Sequence, residues 1–175
     1  MRKETEPRPM LPVSLLVAGR PCLVVGGGEI AARKTGHLLD AAATVTVVSP
    51  TVCAELEKLA RAGKIRFVAR LFQDADAGGK YLVFATTDDR EVNRRVLEAC
   101  HARGVLCSAA DSNWTQGDFV SPAITRRGGL VVTVSTGGRS CREAKIVKDR
   151  IAELLTTITN ESSGDATHDD NDDAL

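Results

Sequence analysis

An α/β fold built on a doubly wound parallel sheet follows from three features of this 175-residue chain. Short apolar runs alternate with segments of helical period, a glycine turn sits between the first such run and the first helical segment, and the alternation stops near residue 110. Residues 1–10, charged and proline-rich, read as a flexible lead. The alternation then gives a strand at 21–25, a helix at 29–41, a strand at 44–48, a helix at 51–62, strands at 65–69 and 81–85, a helix at 89–102 and a strand at 105–109. Asp88 followed by Glu91 forms a capping-box pair for the last of these helices, and Val92, Val96 and Ala99 or Cys100 give it one apolar stripe. Parallel strands joined by helices need both faces of the sheet covered, and ligands then bind at the carboxyl ends of the strands.

After residue 110 the pattern changes. Phe119–Ile124 and Leu130–Val134 read as strands joined through Arg126-Arg127-Gly128-Gly129, and Gly137–Leu155 reads as one helix. The chain therefore divides into a domain over 11–113, a small α+β unit over 114–156 and an acidic tail over 157–175, whose Ser/Asp-rich composition predicts disorder.

Formal charge is zero, but Glu161–Leu175 holds six acids and no Lys or Arg, leaving +6 on the rest of the chain. Most of that excess, +5, lies within residues 120–150. Such a cluster suits a polyanionic small molecule better than nucleic acid, because six aromatics and no basic run longer than two residues leave few stacking platforms. The five cysteines form no C-x-x-C pair and no signal peptide precedes them, which points to a cytoplasmic protein without a disulfide framework or zinc knuckle. Cys22 and Cys107 fall inside apolar runs and read as small core residues; Cys100, His101 and Cys107 are better explained by packing than as metal ligands. No apolar stretch approaches the roughly 20 residues that span a bilayer, so neither a membrane nor a dedicated metal site is expected.

The run from Cys22 to Lys34 carries the chemistry. Gly26, Gly27 and Gly28 follow an apolar strand and open a helix, giving G-x-G-x-x-A over Gly26–Ala31. Gly26 would make the tight turn, Gly28 would let backbone N–H groups approach a pyrophosphate at the helix N-terminus, and Ala31 would let helix and strand pack closely. The expected domain is thus Rossmann-like and binds a dinucleotide. Asp88 and Asp89 would cap the third helix and could also border the cofactor. At the end of the fifth strand Asp111 is either a general base or an Asx-turn residue. Ser135-Thr136-Gly137-Gly138-Arg139-Ser140 offers free N–H groups, hydroxyls and an Arg, which suits either an anion site or a helix cap. A short-chain dehydrogenase is excluded, since Tyr81, the only tyrosine, is followed four residues later by Ala85 rather than Lys.

Leu11-Pro12, Val24–Lys34, Ala85-Thr86-Thr87-Asp88-Asp89, Asn93-Arg94-Arg95-Val96, Asp111, Pro122-Ala123-Ile124 and Ser135–Ser140 together resemble the precorrin-2 dehydrogenases, which include the N-terminal module of sirohaem synthases. The resemblance covers residues 11 to about 155; Ser108 and Cys141 stand where the family often has Asn and Pro. It implies NAD-dependent oxidation of precorrin-2 to sirohydrochlorin by a homodimer, with Asp111 as the essential aspartate and Glu29, Ile30, Pro50 and Thr51 at NAD-contacting positions; Thr86 and Thr87, after the fourth strand, are expected beside the same cofactor. Arg126, Arg127 and Arg139 could then clamp substrate carboxylates, with Thr136, Gly137 and Gly138 beside tetrapyrrole side chains. Some members also insert a metal into sirohydrochlorin, and a chelatase or tetrapyrrole carrier is the competing reading. Ser49-Pro50-Thr51 lacks the basic group that receives a 2′-phosphate, which favours NAD over NADP.

Overall fold

The structure is a computed structural model that describes residues 10–164, without the side chains of residues 112, 113 and 157–164. Residues 1–9 of the expected lead and 165–175 of the expected tail lie outside it. By contacts the chain forms two units, Val13–Val120 and a second from Ser121 onward, with which Leu11 and Pro12 group.

The first unit holds β1 (Pro21–Val25), α1 (Glu29–Asp40), β2 (Thr44–Ser49), α2 (Ala54–Arg61), β3 (Arg66–Ala69), β4 (Leu82–Ala85), α3 (Arg90–His101) and β5 (Leu106–Ala109). Its five strands form one parallel sheet in the order β3-β2-β1-β4-β5, so the fold is α/β and Rossmann-like. Successive side chains of a strand point to opposite faces, and β1 divides accordingly. Cys22 and Val24 pack in a cluster with Ala31, Ala32 and Leu38 of α1 and Leu56 of α2, while Leu23 and Val25 pack with Val96, Leu97 and Cys100 of α3. Cys22 and Cys107 are fully buried, as their apolar runs require.

Two details of this unit differ from expectation. Asp89, not Asp88, caps α3, its Oδ1 accepting from the N–H groups of Glu91 at 2.8 Å and Val92 at 3.3 Å. The unit also runs to Val120 rather than stopping at 113. Asp118 explains the extension: its N–H donates to the Cys107 carbonyl and its Oδ2 accepts from the Cys107 N–H, each at 2.8 Å, and the Phe119 ring stands edge-on to Phe84 at 5.4 Å.

The second unit pairs β6 (Ala123–Arg127) with β7 (Leu130–Val134) in an antiparallel hairpin and packs it against α4 (Cys141–Gly164). Arg127 pairs with Leu130, so the connection is the two residues Gly128 and Gly129, with φ of +52° and +81°. Positive φ at both central positions matches strand twist and favours glycine, which moves Arg126 and Arg127 out of the expected loop and into β6. The helix starts at Cys141 instead of Gly137, since Gly137 and Gly138 have φ of +64° and +82° and cannot be helical. Ser140 caps it, accepting from the Glu143 N–H at 3.1 Å. At its other end α4 continues to Gly164, eight residues into the stretch expected to be tail.

Candidate functional site

The site begins where β1 and β4 lie side by side and their connections diverge to opposite sides of the sheet, the place where parallel α/β sheets open a crevice. Gly26 follows β1 with φ +123°, and a Cβ there would stand 2.7 Å from the Thr86 carbonyl oxygen; on Gly27 it would stand 1.9 Å from that of Thr51. Both positions are glycine because three loops approach one another at backbone distance. Hydrogen bonds fix the approach: Gly26 N–H donates to Val48 at 3.0 Å, Cys53 N–H to Gly27 at 2.7 Å, and Thr86 gives its N–H and its hydroxyl to the Val25 carbonyl at 2.8 and 2.9 Å.

Gly28 is different in kind. Its φ is −86°, which any residue adopts, and a Cβ on it would meet nothing within 4 Å. No packing among the described residues explains a glycine here. Gly28 is also the cap of α1 and makes no side-chain capping bond, so the positive end of that helix is left open. A cradle that an added side chain would fill, set before an uncapped helix start, fits the pyrophosphate of a dinucleotide. Ala31, the last position of the motif, is fully buried and lets α1 lie close against the sheet.

Around this point lies a cleft of about 760 Å³. It is lined by every residue the sequence assigns to the cofactor: Gly26, Gly27, Gly28, Glu29, Ile30, Pro50, Thr51, Thr86 and Thr87. Asp88 and Asp89 border it too, and no Lys or Arg is among its lining residues. Leu71 and Phe72, which follow β3, complete the wall and were not anticipated; Leu71 is 70% exposed, an apolar side chain held at the cleft rather than in the core.

Asp111 follows β5 at the carboxyl edge of the same sheet, half-buried. Its Oδ2 accepts from Asn93 Nδ2 at 2.8 Å. Asn93, on α3 and fully buried, also donates to the Thr87 carbonyl at 2.8 Å, and its Oδ1 accepts from the Thr87 N–H at 3.0 Å. The Thr87 hydroxyl lies 2.9 Å from the same Oδ1. A residue lining the cleft and the candidate base are thereby joined through one buried amide.

The remaining candidates belong to the second unit. Thr136, Gly137, Gly138 and Arg139 form the turn before α4, where the Thr136 hydroxyl bonds the Ser140 backbone, accepting from its N–H at 3.0 Å and donating to its carbonyl at 3.1 Å. Arg139 Nε donates to the Thr136 carbonyl at 3.3 Å. The capping role of this segment is therefore realised by Ser140 and Thr136. Arg126 is exposed on β6, and Arg127 Nη1 donates to the Thr156 hydroxyl of α4 at 2.9 Å. In the core of the first unit the Cys100 and Cys107 thiols are hydrogen-bonded to each other, and that bond together with burial pushes the Cys107 thiol well above its ordinary pKa. Both side chains are buried in the same core cluster.

Comparison with known proteins agrees with this geometry. Residues 13–123 match the family described as "Putative NAD(P)-binding". The chain is 43% identical over 145 residues to the siroheme synthase of Methylobacillus flagellatus, covering 83% of this chain and 31% of that protein. It is likewise 43% identical over 145 residues to the siroheme synthase of Methylococcus capsulatus, covering 83% and 30%. It thus spans about a third of the length of these curated relatives. Among solved structures it is similar to SirC, a precorrin-2 dehydrogenase, with 32% identity, a TM-score of 0.71 and coverage of 83% of this chain and 71% of that one. With its nucleotide cleft and the match along most of that protein, the chain belongs to the precorrin-2 dehydrogenase family.

Proposed function

We propose that this protein oxidises precorrin-2 to sirohydrochlorin, with NAD as the electron acceptor and Asp111 as the general base. The observation that carries the reading is the cleft: seven of the nine expected cofactor residues reach it from three loops and two from the first turn of α1, and Asp111 is tied to its wall through Asn93. When bound, NAD supplies the acceptor for one hydride. The second hydrogen leaves as a proton, the electrons of its bond join the new double bond, and the Asp111 carboxylate takes the proton and returns it to solvent.

Cofactor choice follows from charge. A 2′-phosphate in this cleft would find acids and no basic side chain among its lining residues, and Arg61 beyond Pro50 and Thr51 is paired with Glu57 at 2.5 Å. The substrate is a polycarboxylate, and the +5 cluster over residues 120–150 suits it, with Arg126, Arg127 and Arg139 as carboxylate partners beside Thr136, Gly137 and Gly138. The protein acts as a homodimer through the apolar faces of the second unit, where Leu130, Val131, Ile146 and Leu154 are 48–59% exposed. Five free thiols suit a cytoplasmic enzyme. No helix of the described residues is long and apolar enough to cross a membrane.

The test is an anaerobic incubation with precorrin-2 and NAD in which NADH and sirohydrochlorin are followed together. Equal yields of both are expected, and sirohydrochlorin without NADH would refute NAD-dependent oxidation. Asp111→Asn keeps the shape of the carboxylate and its ability to make an Asx-turn but removes the base. It should bind NAD and precorrin-2 as the parent does while turnover falls by on the order of a hundredfold or more. A folded, fully active Asp111→Asn enzyme would refute the assignment.

A further inference from the structure

We propose that Asn93 is a positioning residue, which holds the Asp111 carboxylate in one orientation and registers it against the cofactor cleft through Thr87. The proposal rests on the reading of Asp111 as the base.

Asn93 sits on α3 between Val92 and Val96, where the apolar stripe of the helix meets the core, and none of it is exposed. An amide buried there costs free energy unless its groups are bonded, and an apolar residue would meet the needs of packing more simply. Its bonding is complete on both sides: the two N–H groups go to the Thr87 carbonyl and Asp111 Oδ2, while the oxygen takes the Thr87 N–H and stands within reach of its hydroxyl. These partners fix the amide's orientation. Reversed, its oxygen would face a carbonyl and a carboxylate, and its NH₂ would face an N–H.

All of Asn93's partners lie on segments that leave the carboxyl edge of the sheet: Thr87 after β4 and Asp111 after β5. One side chain therefore sets the position of a cleft-lining backbone and of the base together. Helix α3, anchored by Val96, Leu97 and Cys100 in the core, supplies the rigid support. Loss of that bond removes the side chain that registers the carboxylate against the cleft, and misplacement of a reacting group by about 1 Å costs on the order of a hundredfold in rate.

The experiment is a double-mutant cycle on the full chain, with steady-state kinetics against precorrin-2 and NAD. Asn93→Leu preserves size and removes every hydrogen bond; its kcat should fall on the order of 10- to 100-fold with KM for precorrin-2 changed by less than about threefold. In the Asp111→Asn background the same change should lower the residual turnover by less than about twofold, because no base is left to orient. Asn93→Asp is the second variant, should the Leu protein fail to fold. It keeps the acceptor for the Thr87 N–H but sets an oxygen against the Asp111 carboxylate, and the same loss of kcat is expected. A folded variant with parental kcat overturns the proposal, as does an equal loss in both backgrounds, which would mean a structural role alone. Failure of the underlying reading looks different: Asp111→Asn by itself would then be active whatever stands at position 93.

Discussion

The two units of this chain bury their apolar residues to very different degrees. In Val13–Val120 each face of the sheet has its own cluster, and Leu23, Val24, Val47 and Val83 are wholly removed from water. In the unit that begins at Ser121, Ala144 and Leu155 are the buried apolar residues among those described, while five large ones, Leu130, Val131, Ile146, Val147 and Leu154, are 40–59% exposed. A sheet covered on both faces carries its own stability, whereas a hairpin with one helix has too little interior to do so. The lesson is a division of labour among apolar residues and glycines: substitutions in the core of the first unit should register as folding, those in its glycine turn as folding or cofactor binding, and those of the exposed apolar residues in the second as association.

The glycine turn tests the first half of that statement most severely. Gly27→Ala places a Cβ 1.9 Å from a backbone oxygen, with no flexible side chain that could yield, and should destabilise the protein by about 3 kcal/mol. One residue on, Gly28→Val meets open space at an ordinary φ, so its stability should stay within about 0.5 kcal/mol of the parent. Its NAD affinity should nevertheless fall roughly tenfold or more, because the new side chain occupies the approach to the start of α1. Chemical denaturation and NAD titration of the two variants separate these outcomes. Parental NAD affinity in a folded Gly28→Val protein would remove the pyrophosphate from this position.

Ile146→Asp tests the second half. Ile146 is 48% exposed on α4, and a carboxylate there is harmless in a free monomer but desolvated in a subunit contact. Association should weaken by about 2 kcal/mol, a factor of roughly 30 in the dimer dissociation constant, with NAD binding unchanged. Sedimentation at several concentrations reads the first quantity and fluorescence titration the second. A variant that associates like its parent would show that this face of α4 is not the contact.

The contrast also governs what could be read in advance. Strands buried on both faces appear as continuous apolar runs, and those expected at 21–25, 44–48 and 81–85 lie within one residue of β1, β2 and β4. Helix α2 begins three residues later than expected because Cys53 is extended and its N–H is taken by the Gly27 carbonyl. In the second unit the boundaries hang on positive φ at Gly128, Gly129, Gly137 and Gly138. Composition suggests glycine turns there but not which residues make them. Within the site, the glycines announce themselves by spacing. Asn93 does not, since a polar residue on a helix ordinarily faces water and its carboxylate partner is 18 residues away. Leu71 and Phe72 lie on an irregular segment without a period, so nothing in their spacing could assign them to the cleft.

That irregular segment provides the smallest expected effect, and the finest test of how far the order of the first unit extends toward its cleft. Arg70 grips Asp76 through two parallel bonds of 2.7 and 2.6 Å, and the Gln73 N–H adds a third to the same carboxylate at 2.9 Å, closing the loop that carries Leu71 and Phe72. The Arg70 guanidinium bond, ahead of the Gln73 N–H, holds the Asp76 carboxyl below its ordinary pKa of 3.8. A carboxylate whose folded pKa is depressed adds stability above the unfolded value and loses it as pH falls through the folded one. Asp76→Asn should therefore lower the thermal midpoint slightly at neutral pH, and the difference from the parent should shrink to nothing as pH drops below 3.8. Because Arg70 is partly exposed, added salt should also narrow the gap at neutral pH. A gap that persists undiminished in acid would mean that the Asn variant disturbs packing around Phe72, which is buried, and that the ion pair is not what orders the rim.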